Sequence, residues 1–263
     1  MLLKISKTAR STYYYHFKES KIDKYVIEKQ EIKELFNHHK QRYGYRRITD
    51  ELMLKGYEIN HKTVLKLMKS LELKAKQRKN GAYHSYKGTV GKVADNLLNR
   101  DFYASNPFEK LTTDVTQFNV CESKVYLSPI MDLYNREIVS YNISLKPNME
   151  QIRYMLNGLF EKLPKKATPL FHSDQGWQYQ HAEYQRLLRG HNIKQSMSRK
   201  GNCMDNGAME NFFGRLKVEM FYGEKFESVN AFIEELKNYI YYYNNERIIS
   251  KLKTSPVKYR TCQ

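Results

Sequence analysis

The chain has 263 residues, enough for one large domain or two smaller ones, and 45 Lys and Arg against 28 Asp and Glu give it a net charge of +17. The excess is one-sided: residues 1–100 hold 23 basic and 10 acidic side chains, and residues 101–263 hold 22 and 18. That imbalance is the footprint of a polyanionic partner, and a Lys-rich solvated surface is the other reading of the same charge. No apolar run approaches the ~20 residues needed to span a bilayer, so no membrane partner is expected. MLLKISKTARSTYYYHFK lacks the apolar core and the cleavage site of a signal peptide. Cys121, Cys203 and Cys262 are odd in number and far apart, which argues against a disulfide framework and points to a reduced, cytoplasmic setting.

In chain order, Ser6 to Lys18 is a basic segment with three consecutive tyrosines, a short helix or an arm that orders on contact. Lys24 to His39 carries Val26, Ile27, Ile32, Leu35 and Phe36 near helical period. Tyr45 to Lys55 is a second helix with Ile48, Leu52 and Met53 inward, and Gly56 marks its end. Asn60 is placed to cap a third, His61 to Leu71, with Val64, Leu65, Met68 and Leu71 on one face. Helix, short connection and helix, all basic, make a helix-turn-helix-like unit over residues 1–75, in which Lys62, Lys66 and Lys69 face DNA. A small bundle with a wet lysine face fits the same pattern. Residues 76–106 read as a basic linker, since Lys74 to Lys92 has no apolar period and holds three glycines.

The pattern then changes to strands: Leu111 to Val120, Val125 to Leu133, and, after a tight connection at Asn135 and Arg136, Glu137 to Ser144. A helix from Met149 to Leu163 follows, then a strand over Pro169 to Phe171, a helix over Ala182 to Leu188, and a strand over Ile193 to Met197. Asp205 to Phe221 and Val229 to Asn244 are two further helices. Antiparallel strands first and alternating helices after are the order of a ribonuclease-H-like α/β fold, a mixed five-stranded sheet flanked by helices. The catalytic core is placed at 107–222, with 223–263 as its helical extension.

Three carboxylates stand out. Asp114 lies on the first strand, Asp174 just past the fourth, and Glu210 on a helix, with 35 residues between the last two. If the first and fourth strands pair, Asp114 and Asp174 are neighbours. Met209, Phe213, Leu216 and Met220 form that helix's buried stripe, and Glu210 sits about 100° off it. Carboxylates converging from separate elements are what two-metal phosphoryl transfer requires. Lys217, seven residues after Glu210, falls on the same face and would meet DNA, as would Arg199 and Lys200 in the loop before the helix. Asp132 reads as a strand-end residue and Asp205 as the helix N-cap. A turn-forming Asp and a helix-dipole Glu are the ordinary readings of such residues taken singly; the joint pattern argues against them.

HSDQGWQY, SRKGNCMDNGAMENFFGRLKVEM and YYNNERI resemble the retroviral-integrase-like transposases of bacterial insertion sequences, the second reading frame of the insertion-sequence-three family. TTDVTQF is similar to the family's first-aspartate strand, and YGYRRITDELMLKGYEINHKTVLKLMKSLEL to the helical segment before its core. The resemblance covers almost the whole chain. It implies a DDE-type transposase using Mg2+, with Mn2+ as a substitute, bound by Asp114, Asp174 and Glu210. Such an enzyme cuts the 3′ ends of an element and joins them to DNA. Implied partners are double-stranded DNA (terminal inverted repeats and target), an upstream-frame protein or fusion to it, and further copies of the chain in an active complex, all on the nucleoid. The start of the chain resembles the start of that second frame. Ile249 stands where family members often carry His, so that position is given no role, and the His38-His39 pair lacks Cys partners, so no zinc is expected. A DNA-binding regulator with a dead core and a plain ribonuclease H are the competing readings. The three intact carboxylates oppose the first, and the basic region over residues 1–100 opposes the second.

Overall fold

The structure, a computed structural model, describes residues 9–19, 23–76 and 92–262; of residues 16–19 and 203 only the backbone is described. The middle of the basic stretch read as a linker, residues 77–91, lies outside the described residues, as do residues 1–8. The chain divides into two compact units, Met1–Ala75 and Lys76–Gln263.

The first unit is helical: α1 (Arg10–Glu19), α2 (Val26–His38), α3 (Tyr45–Leu54) and α4 (His61–Ser70). Ile32, Leu35 and Phe36 of α2 meet Ile48 and Leu52 of α3 and Val64, Leu67 and Met68 of α4 in a buried cluster closed by Tyr43. Leu67 rather than Leu65 completes the inner face of α4, and Val26, Ile27 and Met53 are exposed. Helices of 10 to 13 residues leave room for only a narrow seam, so the apolar residues nearest the free ends fall outside it. The Asn60 side chain accepts from the Lys62 amide at 2.8 Å, which caps α4 as expected. His39 is buried, stacks on Tyr43 at 3.7 Å and places Nε2 2.7 Å from Glu51.

The second unit is built on one mixed sheet. Its strands are β1 (Lys110–Thr113), β2 (Thr116–Val120), β3 (Ser123–Asp132), β4 (Ile138–Ser144), β5 (Leu170–Ser173) and β6 (Lys194–Met197). β1 and β2 are two halves of one strand: Thr113↔Ile130 and Thr116↔Leu127 share one antiparallel register against β3. The break falls at Asp114 and Val115, opposite Pro129, which has no amide hydrogen to offer a ladder. The sheet is therefore five-stranded in effect. β4 pairs antiparallel with β3, β5 pairs parallel with β1, and β6 pairs parallel with β5.

Side chains alternate across this sheet. Leu111, Phe171, Ile130 and Val139 enter an apolar layer with Ile152, Met155, Leu156 and Leu159 of α5 (Met149–Phe160) and with Tyr184 and Leu188 of α7 (Ala182–Gly190); the short α6 (Trp177–Gln180) adds Tyr179. Thr112, His172 and Ser196 are the polar counterparts on the adjacent strand positions, all fully buried. After β6 a 3-10 turn, Cys203–Asn206, leads into α8 (Gly207–Leu216), a π turn at Lys217–Phe221, then α9 (Val229–Asn245) and α10 (Pro256–Thr261). The single long helix expected over Asp205 to Phe221 is thus three helical forms in series. The widened last turn buries Val218, Glu219 and Met220 together.

α9 is locked to the sheet by the NNER stretch. Asn244 accepts from the Ile138 amide at 2.9 Å and donates to its carbonyl at 3.0 Å, pairing the edge strand as one residue of a neighbour would. Residues from Lys92 to Arg100, part of the stretch read as linker, are bonded to the core: the Leu97 and Leu98 amides donate to Ser196 Oγ. No helix among the described residues is long and apolar enough to cross a membrane.

Candidate active site

The parallel pairing of β1 with β5 decides the site. Thr112 lies opposite His172, so Asp114 and Asp174 each stand two residues beyond one paired position, at the same end of adjacent strands. By the alternation of a strand each points to the face of its i−2 neighbour. Asp114 Oδ1 accepts from the Val115 amide at 2.7 Å, and Asp174 Oδ1 accepts from the Gly176 amide at 2.8 Å. A Cβ on Gly176 would lie 3.0 Å from Asp174 Oδ1 and 2.6 Å from Gln178 Nε2, so any larger residue there would press on the carboxylate and displace Gln178.

Burial, then Asp174, then Glu210 hold the Asp114 carboxyl well above the ordinary carboxylate range, against the pull of the Val115 amide and the Lys217 ammonium. Burial likewise raises Asp174. The other two predicted carboxylates, Asp174 and Glu210, are therefore within electrostatic reach of Asp114. A cavity of about 290 Å³ opens beside Asp114 and Asp174, walled by Trp177, Tyr126, Gln151 and Ile152 among others. Among the described residues no three His, Cys, Asp or Glu side chains close into a ready-made metal site.

Glu210 is delivered by the path of α8 along β1 and β2. Asn206, the residue before α8, bonds β1: Thr112 Oγ1 donates to Asn206 Oδ1 at 2.6 Å, and Asn206 Nδ2 donates to the Thr113 carbonyl at 3.0 Å. Further along, the Lys217 ammonium lies 5.5 Å from the centre of the Phe118 ring on β2. From Asn206 to Lys217 a helix advances about 16 Å, and from Thr112–Thr113 to Phe118 a strand advances about 18 Å. Helix and strand therefore run side by side, and Glu210 falls over Asp114. Lys217 is half-buried, and burial lowers its pKa while Asp114 opposes the shift.

Asp205 does not cap α8, whose N-cap is Asn206. Its buried carboxylate collects donors instead: Arg100 Nε at 2.7 Å, Asn96 Nδ2 at 2.9 Å, and the Arg199 amide, Nε and a terminal guanidinium nitrogen, each at 3.0 Å. Those cations hold its carboxyl far below the usual range. Two arginines, Arg199 from the loop before α8 and Arg100 from the segment before β1, turn the carboxylate away from the helix amides. Arg199 is thus engaged with Asp205 while half its side chain stays exposed, and Lys200 is exposed. Asp132 ends β3 as expected, accepting from the Phe108 and Tyr134 amides at 2.8 and 3.0 Å, and burial raises its carboxyl to about 6. In the first unit Lys62, Lys66 and Lys69 are all exposed, at i, i+4 and i+7, along one stripe of α4.

Sequence reasoning passed over Thr112, His172, Gly176 and Asn206. His172 is buried between Ser196 Oγ at 2.9 Å and Ser198 Oγ at 3.1 Å, and burial lowers its pKa to about 4. The signal was available in Thr112: a polar residue in a strand at the middle of the sheet is buried and must find a partner. A second missed carboxylate, Glu219, is buried in the π turn, where Arg247 Nε and a terminal nitrogen donate to it at 2.8 and 2.6 Å and the Tyr239 hydroxyl donates at 2.9 Å.

Residues 104–203 and 210–263 match two family models, each described as an integrase core domain, and residues 24–81 match one described as an HTH-like domain. The putative transposase InsK for insertion sequence element IS150 of Escherichia coli (strain K12) is 49% identical over 261 residues, 98% of this chain and 92% of that protein. Transposase InsF for insertion sequence IS3A of the same organism is 37% identical over 205 residues, 78% of this chain and 71% of that protein. Among solved structures, the HTLV-2 integrase catalytic core domain in complex with magnesium aligns at 15% identity and a TM-score of 0.45, covering 59% of this chain and 98% of that one. A chain with this sheet, these carboxylates at its end and identity of this extent to insertion-sequence transposases belongs to their family, the insertion-sequence-three transposases with an integrase core.

Proposed function

We propose that this transposase cuts and joins DNA strands by DDE-type phosphoryl transfer, with Asp114, Asp174 and Glu210 as its catalytic, metal-binding residues. The observation that carries the reading is the placement of Asp114 and Asp174 at one register position of paired parallel strands, with Glu210 acting on Asp114 from α8. The donor set fits a hard divalent cation: Asp114 and Asp174, whose carboxyls are both raised, Glu210 acting on Asp114, and Lys217 as the nearby positive charge. Like charges so placed stay apart until a cation lies between them. Mg2+, with Mn2+ as a substitute, would supply stabilisation of the attacking and leaving oxygens of an in-line displacement.

The chain's own residues do the rest. Gly176 and Val115 orient two of the carboxylates through their amides. Lys217, poised over Phe118 beside Asp114, meets a phosphate of the bound strand, and Arg199 and Lys200 extend that contact from the loop before α8. Lys62, Lys66 and Lys69 line the face of α4 that meets duplex DNA. In this reading residues 1–75 bind DNA, 76–106 link, 107–222 form the catalytic core and 223–263 extend it. The substrates are the element's terminal inverted repeats and target DNA, engaged on the nucleoid by several copies of the chain together with an upstream-frame protein or as a fusion to it.

Asp114→Asn, Asp174→Asn and Glu210→Gln are each expected to lower metal-dependent cleavage of element-end DNA by ~10³-fold or more while DNA affinity stays within about twofold, because a missing ligand removes transition-state stabilisation and not phosphate contacts. Near-normal cleavage by any one variant takes that residue out of the site.

A further inference from the structure

The entry to α8 carries an asparagine whose side chain does not do what a residue at that position ordinarily does. Asn206 is the N-cap of α8, yet its amide makes no capping bond to the helix. It is buried at 3% exposure, and both ends of its amide are bonded to consecutive residues of β1: Oδ1 accepts from Thr112 Oγ1 at 2.6 Å and Nδ2 donates to the Thr113 carbonyl at 3.0 Å. Thr112 is itself fully buried. The bonds available to stabilise the start of a helix have been given to a strand instead.

The position of that clasp matters. Thr112 and Asp114 are i and i+2 on one strand and share a face; Asn206 and Glu210 are i and i+4 on one helical path and share a face, about 6 Å apart along the axis. The clasp therefore joins helix to strand one step before the two carboxylates. Asp205, beside it, is tied outward to Arg100, Arg199 and Asn96, so the backbone on that side is fixed independently of β1.

We propose that Asn206 is a positioning residue for strand transfer: through Thr112 it sets the separation of Glu210 from Asp114, and so the geometry in which the carboxylates take up a divalent cation. This rests on the carboxylate reading above. A residue supporting metal ligands from behind is worth roughly 10- to 100-fold in metal affinity or activity, and a displacement of about 1 Å at a reacting centre costs on the order of a hundredfold in rate.

The test uses the full chain with Thr112→Val, Thr112→Ser and Asn206→Ala. Valine matches threonine in shape and removes the donor; serine keeps it. Titration calorimetry with Mn2+ alone, thermal melting, and joining of an element-end oligonucleotide with a free 3′-hydroxyl are measured for each. Thr112→Val and Asn206→Ala are expected to weaken Mn2+ binding and slow joining at saturating DNA, each by roughly 10- to 100-fold, with the KM for DNA within about twofold. Thr112→Ser is expected to recover most of both. Should Asn206→Ala not fold, the two Thr112 variants decide alone. Thr112→Val with wild-type Mn2+ affinity and turnover overturns the clasp, even if its melting temperature falls. A wild-type chain that takes up no Mn2+, or takes it up equally well as Asp114→Asn, overturns the carboxylate reading instead.

Discussion

Arg247→Met is the perturbation whose cost the structure specifies most directly. Arg247 is 1% exposed and Glu219 5% exposed, and the guanidinium meets the carboxylate through two bonds of 2.8 and 2.6 Å. Tyr239 donates to the same carboxylate at 2.9 Å, and the guanidinium carbon lies 5.7 Å from the centre of the Tyr243 ring. Methionine fills much of the stem's volume and takes away the charge, leaving the Glu219 carboxylate buried without its cation. Removing one partner of a buried pair costs about 3–5 kcal/mol. In a unit of this size each kcal/mol moves Tm by about 2–4 °C, so a fall of roughly 6–20 °C is expected. The pair variant Glu219→Leu with Arg247→Met should regain most of that stability, because exchanging a buried ion pair for apolar groups is often neutral or stabilising. Urea and thermal denaturation of the two single variants, the pair and the wild type make a double-mutant cycle. A cost below ~1 kcal/mol for Arg247→Met, or a pair variant no better than the singles, would refute the reading that this bond holds the segment after α9 against the π turn at Glu219.

Three further outcomes are expected. Asp132, raised to about 6 by burial, binds its proton more tightly folded than unfolded, so its contribution is present below pH ~4 and is lost as pH rises through about 6, at up to ~1.4 kcal/mol per pH unit. Subtracting the stability curve of Asp132→Asn should isolate that slope, and parallel curves between pH 4 and 6 would contradict it. Gly176→Ala pushes a Cβ against Gln178, which can swing away, and against Asp174, which cannot without losing its place; cleavage should fall by ~10-fold or more with Tm nearly unchanged, and unaltered cleavage would show the cradle to be loose. Lys62→Ala, Lys66→Ala and Lys69→Ala should each lower the salt dependence of DNA binding, by about one unit of log–log slope for every phosphate left without its lysine; unchanged slopes would take α4 off the DNA.

Order and kind of element were legible in the chain because they rest on local periodicity. The run of strands before the alternating helices, the Asn60 cap and the interval from Asp174 to Glu210 can all be read without knowing what packs on what. The candidate site residues were legible as well, since a carboxylate past a strand end and another beside an apolar helical stripe are visible as types and spacings. What it could not decide were facts of pairing. Asp114 and Asp174 are neighbours only because β1 and β5 pair in parallel at Thr112 and His172. Asp205 looked like a helix cap, and Arg100, 105 residues away in sequence, drew it elsewhere. Asn206 and Thr112 looked ordinary, and their bond across 94 residues is where the helix meets the strand. A capping preference is worth about 1 kcal/mol and is set by the nearest residues, whereas a buried carboxylate or amide must satisfy itself with whatever the tertiary fold brings within hydrogen-bonding distance, at greater cost if it fails. The stronger, non-local demand wins, and only the folded chain reveals which residues meet it.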